Sequence, residues 1–150
     1  MPEILEFTLD KFTFKVATDR LYTGEGLWVK VENTTLRVGI SDFLQQRSGD
    51  VAFAEIKPMG TALAAGDELA VIETIKVNIS LSTPVAGRVV EVNPAMESAP
   101  EIINQDPYGE GWLAVIEPLE GGATQMEQLM EPDVYFTQIK GDAEQEVGRG

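Results

Sequence analysis

The sequence contains no cysteine and no histidine. Without cysteine there is no disulfide, no Cys-x-x-Cys redox pair, no thiolate nucleophile and no Cys-based zinc site. Without histidine there is no Ser-His-Asp relay, no imidazole metal ligand and no side chain that titrates near pH 7 unperturbed. Basic residues are scarce as well: 11 Lys+Arg stand against 25 Asp+Glu, a formal net charge of −14. That balance argues against nucleic acid as a partner, because phosphate binding rests on neutralisation by Lys and Arg. No run approaches the roughly 18–20 apolar residues that a transmembrane helix needs. Residues 1–15, MPEILEFTLDKFTFK, lack the basic start and long apolar stretch of a secretory signal. These absences predict no membrane partner and, by default, a cytoplasmic protein. Most unaided enzyme chemistry is excluded, so redox or transfer chemistry here has to be borrowed from a cofactor.

What is present reads as one mainly β domain. The chain has 150 residues, 43% of them apolar, which suits a single core. In LWVKV (27–31), Leu27, Val29 and Val31 share one face, with Trp28 and Lys30 on the other. After Asn33-Thr34, a second alternating run places Leu36, Val38 and Ile40 together, and the pair predicts a hairpin. Ser41-Asp42 before FLQQR, with Gly49 after it, predicts a short capped helix. VAFAEI (51–56) and LAVIE (113–117) read as strands, and ESAPEIIN (97–104) as a short helix. Short strands punctuated by Gly and Pro across 60–93 suggest an all-β sandwich or barrel. Residues 117–150 hold eight acids and two bases. In that tail Gln125–Met130 reads as a short surface helix using Met126, Leu129 and Met130. Beyond Lys140 the segment GDAEQEVGRG has no apolar period and is expected to be disordered.

Residues 69–83 carry the chemistry. Leu69, Val71, Ile75, Val77, Ile79 and Leu81 fall at odd positions, while Thr74, Lys76, Asn78, Ser80 and Ser82 fall at even ones. Taken alone this is an amphipathic strand whose lysine is a solubilising or edge-protecting charge. Glu73 breaks the alternation. Fifteen residues also exceed the usual strand of about 5–6, so the run should turn near its middle, at Lys76. Periodicity leaves the role of Lys76 open.

The segments GTALAAGD (60–67), VIETIK (71–76) and TPVAGRV (83–89) resemble the biotinyl/lipoyl carrier domain. Together with VGISDF (38–43), GDVAFAEI (49–56), VVEVN (89–93) and DPYGEGWL (106–113), they are similar, in that order and spacing, to the glycine-cleavage H-protein family. The resemblance covers roughly residues 20–118. It leaves 1–19 as an N-terminal extension and 119–150 as an acidic C-terminal segment, a short helix followed by a disordered end. It implies a lipoyl-domain-like flattened barrel or sandwich (a barrel-sandwich hybrid) with short flanking helices and a C-terminal helix. It also implies that Lys76 sits at a hairpin tip and carries covalent lipoate. Biotin carriers typically have Met-Lys-Met around the lysine, whereas Ile75-Lys76-Val77 favours lipoate. Glu73 and Gly87 would belong to the surface that a lipoate ligase or lipoyl transferase recognises. The protein would then be a non-catalytic carrier whose acidic surface serves either to steer it toward basic partners or simply to keep it soluble.

The chain departs from the family where the cargo is held. H-proteins shelter a cationic aminomethyl group in a cleft lined by the Glu of His-Glu-Trp, by an Asp four residues after the lipoyl lysine, and by a His in the short helix. Here Leu27, Ser80 and Arg47 stand at those positions. Two anions give way to neutral residues and a permanent cation appears, which favours an anionic sulfur-containing cargo. In this respect the chain looks like the H-protein-like lipoate-binding proteins of bacterial sulfur oxidation, which imply a heterodisulfide-reductase-like complex and dihydrolipoamide dehydrogenase as partners. The alternative is an H protein of glycine cleavage, serving the glycine decarboxylase, aminomethyltransferase and dihydrolipoamide dehydrogenase components. Two other classes stay open on residues alone: a biotin-type or unmodified binding scaffold, and a hydrolase using Glu97 and Glu101.

Overall fold

The two alternating runs form β4 (Leu27–Glu32) and β5 (Thr35–Ile40), an antiparallel hairpin in which Trp28 pairs with Gly39 and Val29 with Val38. Asn33, in the left-handed region at φ 58°, makes the turn. The computed structural model describes residues 3–119 and 125–149, with side chains through 145. Ahead of β4 lie β1 (Ile4–Leu9), β2 (Phe12–Ala17) and β3 (Leu21–Tyr22). After β5 come α1 (Asp42–Ser48), β6 (Val51–Ile56), β7 (Ala62–Leu63), β8 (Glu68–Thr74), β9 (Asn78–Ser82) and β10 (Gly87–Val92). The chain then runs through α2 (Ala95–Ser98), α3 (Ile102–Gln105), β11 (Ala114–Pro118) and α4 (Pro132–Arg149).

A six-stranded sheet of order β3-β4-β5-β11-β10-β7 faces a three-stranded sheet, β6-β8-β9, while β1 and β2 pair only with each other. Leu27, Val29, Leu36, Val38 and Ile40 from the large sheet and Leu69, Ile72 and Leu81 from the small one fill a common core. This is the mainly β flattened barrel-sandwich expected from the sequence. α1 forms as read: the Ser41 hydroxyl accepts the Leu44 N–H at 3.2 Å, and Gly49 ends the helix at φ 90°.

A second, aromatic cluster lies on the other side of β4. Trp28, Tyr22, Phe14, Val16 and Phe43 pack with Tyr135, Ile139 and Ala143 of α4. The Tyr22 and Tyr135 rings stack at 4.4 Å, and the Tyr135 and Ser41 hydroxyls lie 2.7 Å apart. Tyr108 donates its hydroxyl to the Lys15 carbonyl at 2.7 Å, and Tyr22 donates to that of Ala17 at 2.6 Å, so two phenols tie the N-terminal hairpin down. Burial pushes both up: Tyr108 to about 12, and Tyr22 well above the ordinary tyrosine value.

Two expectations need correction and a third holds only in part. The tail does not become disordered after Lys140, because α4 runs from Pro132 to Arg149. Its four-residue spacing of Tyr135, Ile139 and Ala143 puts three apolar groups on one face, enough to dock a polar helix. The helix expected over 97–104 is two single turns, α2 and α3, separated at Ala99-Pro100 because proline restricts the residue before it. Of residues 125–130, Gln125 and Met126 are helical and the chain then turns at Glu127–Gln128, so the short helix expected there stops before Leu129 and Met130. Met126 and Leu129 pack against the core, and Met130 forms a backbone bridge with Tyr22.

Candidate functional site

The long alternating run does turn in its middle. Strands β8 and β9 are antiparallel, with Glu73 opposite Asn78. A register shift between Glu68 and Ala70 reverses the parity of β8, so that Ala70 and Ile72 point into the core and Glu73 points out. The residue that seemed to violate the pattern therefore faces solvent.

Lys76 sits at the tip of this hairpin. The Thr74 N–H donates to the Val77 carbonyl at 2.9 Å. The Thr74 hydroxyl accepts the N–H groups of Val77 at 2.9 Å and Lys76 at 3.2 Å, and it lies 2.7 Å from the Ser48 carbonyl at the end of α1. The Ile75 N–H donates to the Asp50 carbonyl at 3.0 Å, a second tie to the same turn. The tip is thus held by backbone and one hydroxyl, while its side chains project outward. Ile75 is 78% exposed and Val77 47%, flanking the lysine with accessible apolar surface.

The lysine side chain leans toward α1, its Nζ 3.3 Å from the Arg47 carbonyl. It borders an open pocket of about 250 Å³ lined by Leu9, Phe12 and Phe14 of the N-terminal hairpin, Gln46 and Arg47 of α1, and Ala143 of α4. The Arg47 guanidinium lies 5.1 Å from the Phe43 ring. An exposed primary amine beside an apolar wall fits an acyl prosthetic group such as lipoate, whose chain is apolar and whose linkage to lysine is a neutral amide. Among the described residues no group of three His, Cys, Asp or Glu side chains is placed to hold a metal, and no helix is long and apolar enough to cross a membrane.

The structure brings Lys76 and Arg47 together but not the other expected cleft residues. Leu27 is fully buried in the barrel core, so it does not line a cargo cleft. Ser80 is exposed on β9, where its hydroxyl donates to the Glu68 carboxylate at 2.7 Å. Glu73 is exposed on β8, beside Phe53 of β6. Gly87 is buried, not part of a recognition surface. A Cβ there would stand 2.4 Å from Ile116 Cγ2 and 2.9 Å from the Glu117 carbonyl oxygen, so close packing of β10 on β11 requires glycine. Glu97 and Glu101 are exposed on separate turns, as solvated acids. Sequence reasoning missed Thr74 and the pocket wall of Leu9, Phe12 and Phe14. The signal for the wall was present: Phe12 and Phe14 alternate after Asp10-Lys11, and Asp10 adopts φ 56°.

A lysine presented at a hairpin tip of a barrel-sandwich defines a carrier of the biotinyl/lipoyl class, a protein that positions a prosthetic group and performs no chemistry itself. The family profile described as glycine cleavage H-protein matches residues 20–142, and the chain belongs to that family. Similar proteins include the glycine cleavage system H protein of Thermus thermophilus, 38% identical over 128 residues (85% of this chain and 98% of that protein). Glycine cleavage system H protein 4 of Aquifex aeolicus is 41% identical over 133 residues, covering 89% of this chain and 77% of that one. In three dimensions the chain resembles the crystal structure of a glycine cleavage system H protein from Mycobacterium marinum. The TM-score is 0.75 at 30% identity, over 83% of this chain and 99% of that one. Proteins of this family carry lipoate bound covalently to a lysine and are carrier subunits, not enzymes.

Proposed function

We propose that this chain is a lipoyl carrier modified on Lys76, and that it serves as the H protein of glycine cleavage. The placement of Lys76 at the exposed tip of β8–β9, beside a pocket able to receive an apolar arm, carries the reading. Lipoate, when bound, supplies a dithiolane for redox and group transfer. The chain's own residues do the rest. Thr74 fixes the tip, Ile75 and Val77 offer contact surface to the enzymes that modify and use the arm, and Glu73 adds a negative charge three residues from the lysine. The partners are a lipoate ligase or lipoyl transferase, then the glycine cleavage components including dihydrolipoamide dehydrogenase. The pathway rests on the relatives described above, each named for glycine cleavage. Intact mass of the protein from its native host tests the carrier step. The expected result is a lipoyl-sized increment that disappears in Lys76→Arg, and a biotin-sized increment, or none, would reject it.

One observation favours the second reading, lipoate-dependent sulfur oxidation with a heterodisulfide-reductase-like complex. Arg47 lines the pocket beside Lys76, and a fixed cation there opposes a cationic cargo and favours an anionic one. Reconstitution separates the two. If the lipoylated chain supports aminomethyl transfer with glycine cleavage enzymes as a true H protein does, the sulfur reading is rejected. If it fails there but sustains a lipoate-dependent sulfur assay that Arg47→Glu abolishes, the sulfur reading replaces the first.

A further inference from the structure

Arg47 separates two pockets of very different capacity. On one side, Glu25, Gly26, Leu44 and Asp142 help to enclose about 40 Å³. The space is narrow because Leu44 Cβ lies 3.0 Å from where a Cβ on Gly26 would stand, and because α4 contributes Tyr135 and Ile139 to the wall. On the other side is the roughly sixfold larger pocket of about 250 Å³, and of the two only this one is bordered by Lys76. The smaller pocket adjoins Leu27 through Gly26, so it is the side on which the sequence placed the cargo. The larger one is roofed by the N-terminal hairpin, which lies ahead of the family match at residue 20.

We infer that the pocket formed by Leu9, Phe12 and Phe14 with Gln46, Arg47 and Ala143 is the resting site of the acyl arm borne by Lys76. The inference rests on the carrier reading above. It commits to one occupant because Lys76 itself borders the pocket and tethers the arm there, at an effective concentration that no free ligand matches. The wall suits a hydrocarbon chain. Phe12 is 54% exposed and stacks on Phe14 at 6.2 Å, leaving an aromatic face for a partner. Acylation converts Lys76 to a neutral amide. The neutral amide then borders a pocket whose wall is mostly apolar and aromatic, with Gln46 and Arg47 at its α1 edge. The N-terminal hairpin thereby acquires a role. It is held by Tyr108 and Tyr22 against the barrel at the height needed to cover the arm.

The test compares the unmodified full chain with the same chain lipoylated in vitro, with intact mass reporting modification. Side-chain NMR shifts are then read at Leu9, Phe12, Phe14 and Gln46, and the dithiolane's reduction rate by an uncharged dithiol is measured. We expect shifts at those four residues on lipoylation. Reduction should be about threefold faster in Phe12→Ser than in wild type, the factor for a sheltered state populated about two-thirds of the time. Phe53→Ser, more exposed than Phe12 and outside the pocket, should reduce at the wild-type rate. A lipoylated chain whose shifts stay at Ile75 and Val77, or move to Glu25, Gly26 and Leu44, overturns the inference and leaves the carrier reading intact. A chain that takes no lipoate at Lys76 overturns both.

Discussion

Replacing Thr74 by valine removes a single hydroxyl while keeping β-branching and volume, so the substitution isolates the bonds that hold the hairpin tip. Four contacts end on that oxygen: the N–H groups of Lys76 and Val77 donate to it, and its own proton is shared between the carbonyls of Ser48 and Val77. The first two donors lie at an exposed tip and can turn to water, so each loses little. The Ser48 carbonyl belongs to a buried residue, and its lost partner costs about 1 kcal/mol. With partial losses at the tip, the total is about 1–2 kcal/mol, which lowers Tm by about 3–6 °C for a chain of this length. Circular-dichroism melting measures that shift. The functional consequence is read at 25 °C, where the variant remains folded. Lipoylation should slow because Lys76 samples more orientations before the modifying enzyme captures it. Thr74→Ser, which keeps the hydroxyl, should recover most of the rate. If Thr74→Val melts within about 1 °C of wild type and is lipoylated at the same rate, then the tip is held by its backbone alone and the reasoning fails.

Gly87→Ala forces a Cβ against Ile116 Cγ2 and the Glu117 carbonyl, and should destabilise the fold by about 1–3 kcal/mol, measured by urea unfolding. At low temperature its folded fraction should be lipoylated as fast as wild type, because Gly87 presents no surface. Slower modification of fully folded protein would return it to a recognition role. All three tyrosines are raised, chiefly by burial, Tyr108 to about 12. A raised phenol contributes stability below its unfolded value near 10 and loses it as pH climbs through the folded value. Tyrosinate absorbance should therefore stay low at pH 10.5 while the circular-dichroism spectrum is native, and appear together with unfolding. Appreciable ionisation of a native protein at that pH counts against the buried aromatic cluster. Asp19 is held below the ordinary carboxylate value. Partial burial works against that shift, but bonding and attraction to Arg20, with help from Lys30, outweigh it. A lowered folded value stabilises above the unfolded one and is lost as pH falls through it. The gap in Tm between wild type and Asp19→Asn should be constant above about pH 5 and close on further acidification. A gap unchanged at pH 2.5 would show that Asp19 acts by packing alone.

The fold was legible wherever local pattern and tertiary environment agree. The β4–β5 hairpin, the Ser41 cap and the Gly49 stop follow from residues within a few positions of one another. Lys76 at a turn was legible too, since a fifteen-residue alternation cannot stay one strand. What was hidden depends on distant partners. The parity reversal in β8 comes from a bulge against β9, and strict alternation cannot express it. α4 owes its last turns to three side chains that find the aromatic cluster of Trp28 and Phe43. Read alone, the segment after Lys140 offers Ala143 and Val147 amid charges and glycine. The cleft residues failed for the same reason. Leu27 was placed by correspondence to a Glu, yet an apolar side chain at the start of β4 gains more from the core than from a solvated cleft.

That failure bears on the charge argument. The sequence counted two anions lost, at Leu27 and Ser80, but carboxylates stand beside both positions. The Glu25 carboxylate, two residues before Leu27, accepts the Ser82 N–H at 3.2 Å. Glu68 binds the Ser80 hydroxyl at 2.7 Å, while Lys57 lies 3.8 Å from its other oxygen and offsets part of its charge. Negative charge near β9 is thus present two residues or one strand away from the expected positions. Glu25 also lines the small pocket, together with Asp142. The field on that side of Arg47 remains acidic, and the pocket that borders Lys76 is the one where Arg47 faces hydrocarbon. Arg47 therefore stands between two pockets of different chemistry. An arm that turns toward Glu25 and Asp142 meets carboxylates suited to a cationic cargo, whereas an arm that rests under the N-terminal hairpin meets a cation and aromatic rings. On the carrier reading proposed above, the side taken by a loaded arm is therefore a more direct test of the cargo than the identities of residues 27, 47 and 80 taken in isolation.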